Sequence, residues 1–344
     1  MDEIRNNTQT ERIPWVDAAK GIGILLVVLG HCIGNLQEPV NRVILTFHMP
    51  LFFFLSGFCQ KLPAGKFSVY LKKKAVGLLI PQITLGTIGL LFAVATVPAN
   101  GGGCFSSYQA WFLPVMFYCA VCWFFSARFI DRHFAACTAI TLLATTIVCS
   151  VGRATVPHIE LVPTAFLFYV IGYGCKKLGR QIGARLKESV SVKKSESFVF
   201  IIVFPILVIV SCANTPIAMY ANRFGNIALF LAGAFSGIYL VCKFAQKFSE
   251  NEVLCWIGRN SIIVYVLHFK LIKVLHGAGK AIFPQLDSVN YRHPFFWGYF
   301  LVCIFVLCAA VFVCERWFAP LFGKKNKRRT ARETTTVSIS CDTK

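Results

Sequence analysis

Two ionisable side chains, Lys20 and His31, end the stretch KGIGILLVVLGH, with ten uncharged residues between them. On an α-helix eleven residues rise about 16 Å and complete about three turns, so both groups share one face at different depths. The lysine offers a point cation to an anionic group, and a neutral histidine offers a nitrogen that takes up a proton or serves as a nucleophile. Asp17, three residues before Lys20, falls on roughly the same side and can pair with it or orient it. The plainer account is a snorkelling lysine and a histidine satisfied by a neighbouring helix. It suits Lys20 better than His31, because an ionisable group deep in an apolar segment usually faces a cavity or pathway.

Two further segments carry polar groups in apolar surroundings. In FHMPLFFFLSGF, Phe47 to Phe58, Pro50 removes a helical hydrogen bond and clashes with the preceding turn, so a kink or break is expected. His48 then lines a cavity or caps the broken helix, and Ser56 with Gly57 allows close backbone approach. In GRNSIIVYVLH, Gly258 to His268, the residues Ser261, Tyr265 and His268 lie four and three apart and share one helix face. They suit either a reaction centre or simple helix-to-helix bonding. Arg259 and Asn260, just before them, suit phosphate contact or helix capping.

The elements that must hold these groups follow from composition. The chain has 344 residues, 56% hydrophobic and 15% charged, with apolar blocks long enough to cross a bilayer recurring from end to end. This predicts an all-α integral membrane protein with about ten transmembrane helices in one bundle. The expected spans lie near 21–36, 43–60, 75–97, 108–126, 135–151, 159–175, 198–213, 217–242, 254–276 and 296–315. Residues 1–20 are expected to form a cytoplasmic N-terminal segment, 21–318 the membrane domain, and 319–344 a basic, disordered cytoplasmic tail. The first twenty residues are polar and mixed in charge, unlike a cleaved signal peptide. Short basic loops alternate with spans, which places both termini in the cytoplasm.

A net charge of +20 invites a nucleic-acid partner, but topology and attraction to the anionic lipid bilayer account for it, so no nucleic acid is expected. Most of the fifteen cysteines sit singly in apolar spans, where cysteine behaves as a small hydrophobe. No His and Cys spacing suits a metal. Carboxylates near the spans are few, namely Asp17, Glu160 and Glu315, so a catalytic triad or carboxylate pair is hard to assemble.

WVDAAKGIGILLVVLGH, FHMPLFFFLSGF, WFLPVMF at Trp111 to Phe117 and GRNSIIVYVLH occur in the order found in the membrane-bound acyltransferase family 3. The chain resembles that family from about Trp15 to Cys314, and its fucose 4-O-acetylase-like branch in particular. Many members carry arginine where this chain has Lys20, which keeps the charge but loses the bidentate fork. The resemblance implies an O-acyltransferase of the plasma (inner) membrane. It would move an acyl group, usually acetyl, from cytoplasmic acyl-CoA to a hydroxyl of a surface or exported carbohydrate. Acyl-CoA would be a co-substrate, with no tightly bound cofactor. Under that reading Lys20 meets the CoA phosphates, with Arg259 and the cluster Lys72, Lys73 and Lys74 as further candidates. His31 is general base or acyl carrier, His268 is the second catalytic candidate, and His48 is a supporting histidine. Ser261 and Tyr265 stabilise an oxyanion or position the acceptor, and Trp111 stacks on a sugar or belongs to the interfacial aromatic belt. Arg153, His158 and Glu160 meet a carbohydrate from outside, or are loop polarity. The rival is a transporter or flippase for a glycan or lipid-linked sugar, which uses similar broken helices and buried polar groups.

The loop charges generate a first prediction: Lys194 and the carboxyl terminus are cytoplasmic and Lys280 is not. Cysteine substitution and labelling from each side tests it. Labelling of positions 194 and 280 from the same side would remove the ten-span arrangement.

Overall fold

A computed structural model describes residues 12–100, 111–151, 158–185, 195–283 and 291–324. The helices are α1 (Pro14–Ile33), α2 (Pro39–Phe58), α3 (Phe67–Asn100), α4 (Phe112–Arg132), α5 (Phe134–Val151), α6 (Val162–Arg185), α7 (Ser195–Ala213), α8 (Ile227–Lys247), α9 (Glu252–Arg259), α10 (Ser261–Ile282) and α11 (Pro294–Trp317). Eight of them are long and apolar enough to cross a bilayer, and α7 contributes a shorter apolar stretch, Val199–Ala213. The chain is thus an all-α membrane protein, as its composition predicts. Both chain ends lie outside the described residues, as do Arg153 and Lys194.

Proline starts several of these helices. Pro14, Pro39 and Pro294 each occupy the first turn of α1, α2 or α11, where the missing N–H costs nothing and the fixed φ suits the helix. Helix α1 stops at Gly34, whose φ of 71° glycine adopts without strain and whose N–H bonds the Gly30 carbonyl at 3.0 Å. Outward faces are apolar, with Phe305 of α11 76% exposed beside Leu301 and with Ile140, Leu143 and Ile147 on α5. Such side chains are stable only against lipid.

The centre is α1 and α2. Helix α2 packs on α1, α6, α7 and α8. Phe52 and Phe53 meet Phe112 of α4 with ring centroids 5.9 and 5.2 Å apart. Helix α1 packs on α2, α8, α9 and α10. Its contact with α9 is backbone against backbone: a Cβ on Gly21 would collide with the Leu254 carbonyl, and one on Gly258 with the Asp17 carbonyl. Without a hydrophobic drive between helices in lipid, such small-residue seams carry association.

Two expectations are corrected and one is narrowed. Of the kink or break expected at Pro50 there is no break: helix α2 is continuous there. It is the most enclosed spanning helix, and packing on all sides holds the backbone helical where proline alone would interrupt it. The expected eighth span, 217–242, begins instead at Ile227. Residues 214–226, NTPIAMYANRFGN, carry asparagines, Pro216 and Gly225 and form a folded loop. Asn226 then caps α8, its side chain accepting from Ala228 and Leu229 N–H. The ninth span, 254–276, divides at Asn260 into α9 and α10. The fully buried Asn260 donates to the Trp256 carbonyl at 3.0 Å and to Glu315 Oε2 of α11 at 3.1 Å, and it accepts from Lys324 Nζ.

The α1–α9 seam gives a stability prediction. Gly258→Ala should cost about 1–3 kcal/mol through overpacking. Gly277→Ala on α10, where a Cβ meets nothing, should be neutral or stabilising by up to about 1 kcal/mol. Thermal unfolding in detergent distinguishes them, and equal melting temperatures for the two variants would contradict the seam.

Candidate active site

Helix α1 carries Lys20 towards its N-terminal end and His31 in its last turn. Lys20 Nζ lies 4.0 Å from Asp17 Oδ1, so the expected pair forms. Around it opens a cavity of about 770 Å³. Lys20, Asp17, Ser56, Arg259, Ser261 and Tyr265 of the expected residues line it, joined by Arg12, Lys61 and Lys176. Among the described residues, five cationic side chains thus face a single carboxylate. Ser261 opens α10 at the same wall. The chemistry offered is recognition of a polyanion.

A second cavity, of about 260 Å³, contains His31, His48 and His268 together with Trp111, Asn41 and Tyr265. Among the described residues no Lys, Arg, Asp or Glu lines it. The rings of His31 and His268 lie 5.0 Å apart between centroids. His268 Nδ1 sits 3.1 Å from the Val264 carbonyl and 2.8 Å from the Tyr265 carbonyl. A carbonyl only accepts, so Nδ1 carries the hydrogen and Nε2 presents a bare lone pair. That Nε2 is buried without a hydrogen-bond partner. His48 Nδ1 meets the Ile44 carbonyl at 2.8 Å and is fixed the same way. Val27, Met49 and Tyr265 line both cavities and form the wall between them.

The family comparison covers both compartments: a model described as an acyltransferase domain matches residues 13–315. The chain belongs to acyltransferase family 3. The match is to the family as a whole and assigns no branch. No curated protein and no solved structure matches the chain. Membership makes this a membrane acyltransferase, so the paired cavities belong to a group-transfer enzyme.

Not every expected residue reaches the acyltransferase cavities. Lys72 and Lys73 are exposed, Lys74 stands 5.4 Å over the Tyr70 ring, and none of the three lines either cavity. His158 and Glu160 approach to 3.6 Å at the short turn Ile159–Leu161, again away from both cavities. Asn260 is tied to Trp256, Glu315 and Lys324 at the helix break, and its side chain makes no cap bond to α10. Among the described residues no cluster of three His, Cys, Asp or Glu would hold a metal.

Sequence reasoning missed Lys176 and the loop over the histidines. Lys176 is buried and donates to the Gln60 carbonyl at 2.9 Å. Its signal was a lysine following the apolar run AFLFYVIGYGC, which loop charge seemed to explain. Ile217, Ala218, Met219 and Tyr220 line the histidine cavity. Asn214 holds the loop: its Oδ1 accepts from Thr215 N (2.9 Å) and Asn226 N (2.8 Å), and its Nδ2 donates to Phe224 O (3.0 Å) and Asn226 O (3.2 Å). Three asparagines, a proline and a glycine in thirteen residues were the available signal.

Asn214→Ala should therefore cost about 1–3 kcal/mol of local stability by stranding buried backbone groups. Amide hydrogen exchange in the loop should quicken about tenfold while α1 and α2 keep their protection. Unchanged loop exchange would show that the loop is held elsewhere.

Proposed function

We propose that this acyltransferase moves an acetyl group from cytoplasmic acetyl-CoA to a hydroxyl of a surface or exported carbohydrate. The observation that carries the reading is the contrast between two adjoining cavities, one with five cations and one with three histidines and no charge, sharing only a thin wall. CoA is a polyanion on a long thin arm. Its phosphates suit Lys20, Arg259, Lys61 and Lys176, while the arm follows α1 towards His31. A saccharide is neutral and rich in hydroxyls, which suits the histidine cavity and its aromatic Trp111 and Tyr220. An acidic acyl group such as succinyl would lack a counter-ion there, so the uncharged acetyl group is favoured.

In the proposed reaction His31 takes the acceptor hydroxyl proton as the oxygen attacks the thioester carbonyl. The bare Nε2 of His268 beside it favours the imidazolium that forms. The tetrahedral intermediate then collapses, the C–S bond breaks, and the proton on His31 passes to the departing thiolate. Transfer through an acyl-His31 intermediate uses the same groups in two steps. An enclosed site limits loss of the thioester to water. Matching an acyltransferase family favours group transfer over translocation.

Mass spectrometry of surface glycans from deletion and complemented strains tests the activity. His31→Ala should insert normally and lower transfer by about 10²–10⁴-fold. Near wild-type esterification by that variant would make His31 structural. For the donor, Lys20→Ala should raise the acetyl-CoA KM by about tenfold or more with kcat nearly unchanged, as loss of one charged contact requires. Lys20→Arg should keep most of the affinity. A donor KM unmoved by Lys20→Ala would leave Lys20 as a topological anchor.

A further inference from the structure

A third cavity, of about 590 Å³, opens on the side of the bundle near the Lys20 end of α1. Trp15 of α1, Phe58 of α2 and Phe235 and Ile238 of α8 form an apolar wall, and Lys176 of α6 and Lys243 of α8 bring two cations to it. Among the described residues no aspartate or glutamate lines it. A Cβ on Gly179, which also lines it, would meet nothing among them, so the cavity is open space at that point.

We propose that this cavity seats one anionic phospholipid of the surrounding bilayer, an acyl chain along the aromatic wall and the phosphate on Lys243 and Lys176. The match is of shape and charge together. A phospholipid is apolar along one end and anionic at the other, and the cavity is built in the same order. Lys243 lies one turn from the end of α8, and Lys176, in the second half of α6, bonds the Gln60 carbonyl just past Phe58 at the end of α2, which is the depth of a headgroup. A zwitterionic lipid would bring its own ammonium against two lysines, so an acidic headgroup is selected.

The site also touches the donor cavity, because Lys176 and Ile13 line both. A lipid phosphate on Lys176 therefore removes one of the five cations facing the donor. Lipid and donor compete for one ammonium group. This coupling rests on the acetyl-CoA reading, whereas the lipid site itself does not.

Purification with equal amounts of phosphatidylglycerol and phosphatidylcholine, followed by native mass spectrometry of the retained lipid, tests both statements. The wild type should retain phosphatidylglycerol in preference. Lys243→Gln should lower that retention by about fivefold, the weight of one basic residue near a membrane surface. Lys243→Arg should keep it. Lys247→Gln, an exposed neighbour outside the cavity, should not alter it. Equal retention of the two lipids, or an equal loss in Lys247→Gln, would overturn the site. Added CoA should displace phosphatidylglycerol from the wild type. Retention that falls in Lys243→Gln but resists CoA would overturn the coupling and leave the lipid site standing.

Discussion

The backbone contact between α1 and α9 fixes the position of everything that follows. With Gly21 against the Leu254 carbonyl and Gly258 against that of Asp17, the two helices cannot slide or separate without losing the seam. Arg259 and Ser261 are therefore delivered to the cavity that holds Lys20. Beyond the break at Asn260, α10 brings the His268 ring to 5.0 Å from that of His31, centroid to centroid. One buried amide, tied to Trp256, Glu315 and Lys324, thus links the cationic compartment to the histidine compartment.

The separation of charge has an energetic logic. Cations in an enclosed apolar site lose hydration that only a paired anion restores. Here they surround the larger cavity, and among the described residues none lines the histidine cavity. The inner cavity carries groups that are neutral and internally bonded. His48 and His268 each spend Nδ1 on a carbonyl of their own helix, so neither needs a charged neighbour to be accommodated.

How much of this was legible in the sequence depended on whether the signal was local. The Lys20 to His31 spacing, the Asp17 pairing and the shared face of Ser261, Tyr265 and His268 follow from helix periodicity, and all reappear in the cavities. Helix α1 was legible as the apolar run expected near 21–36, but its first turns, from Pro14 through Asp17 to Lys20, were not, because their polar residues were read as a segment outside the span. The loop at 214–226 was not, because isoleucine, methionine and tyrosine in it extend the hydropathy of α8 past the asparagines that end the helix. The division at Asn260 depended on Glu315, fifty-five residues away, and no local pattern contains that partner. Lys72 to Lys74 show the converse: a conspicuous charge run that local reasoning promotes and tertiary placement leaves outside.

The wall between the compartments follows from the same geometry. Val27 and Met49 are apolar, and methionine yields readily to a passing chain because its thioether stem has several soft rotations. Tyr265 is the polar member of the wall. Its ring contacts Phe112 at 5.3 Å and His268 at 6.0 Å, so one side chain borders the donor cavity and the histidines at once. In the proposed reaction the thioester carbonyl must come to rest at this wall, since only there are both cavities within reach of one small group. A phenol at that point can donate to an oxygen that gains charge, which neither Val27 nor Met49 can do. The wall therefore divides the substrates by size and charge and, at Tyr265, supplies the one hydroxyl common to both sides.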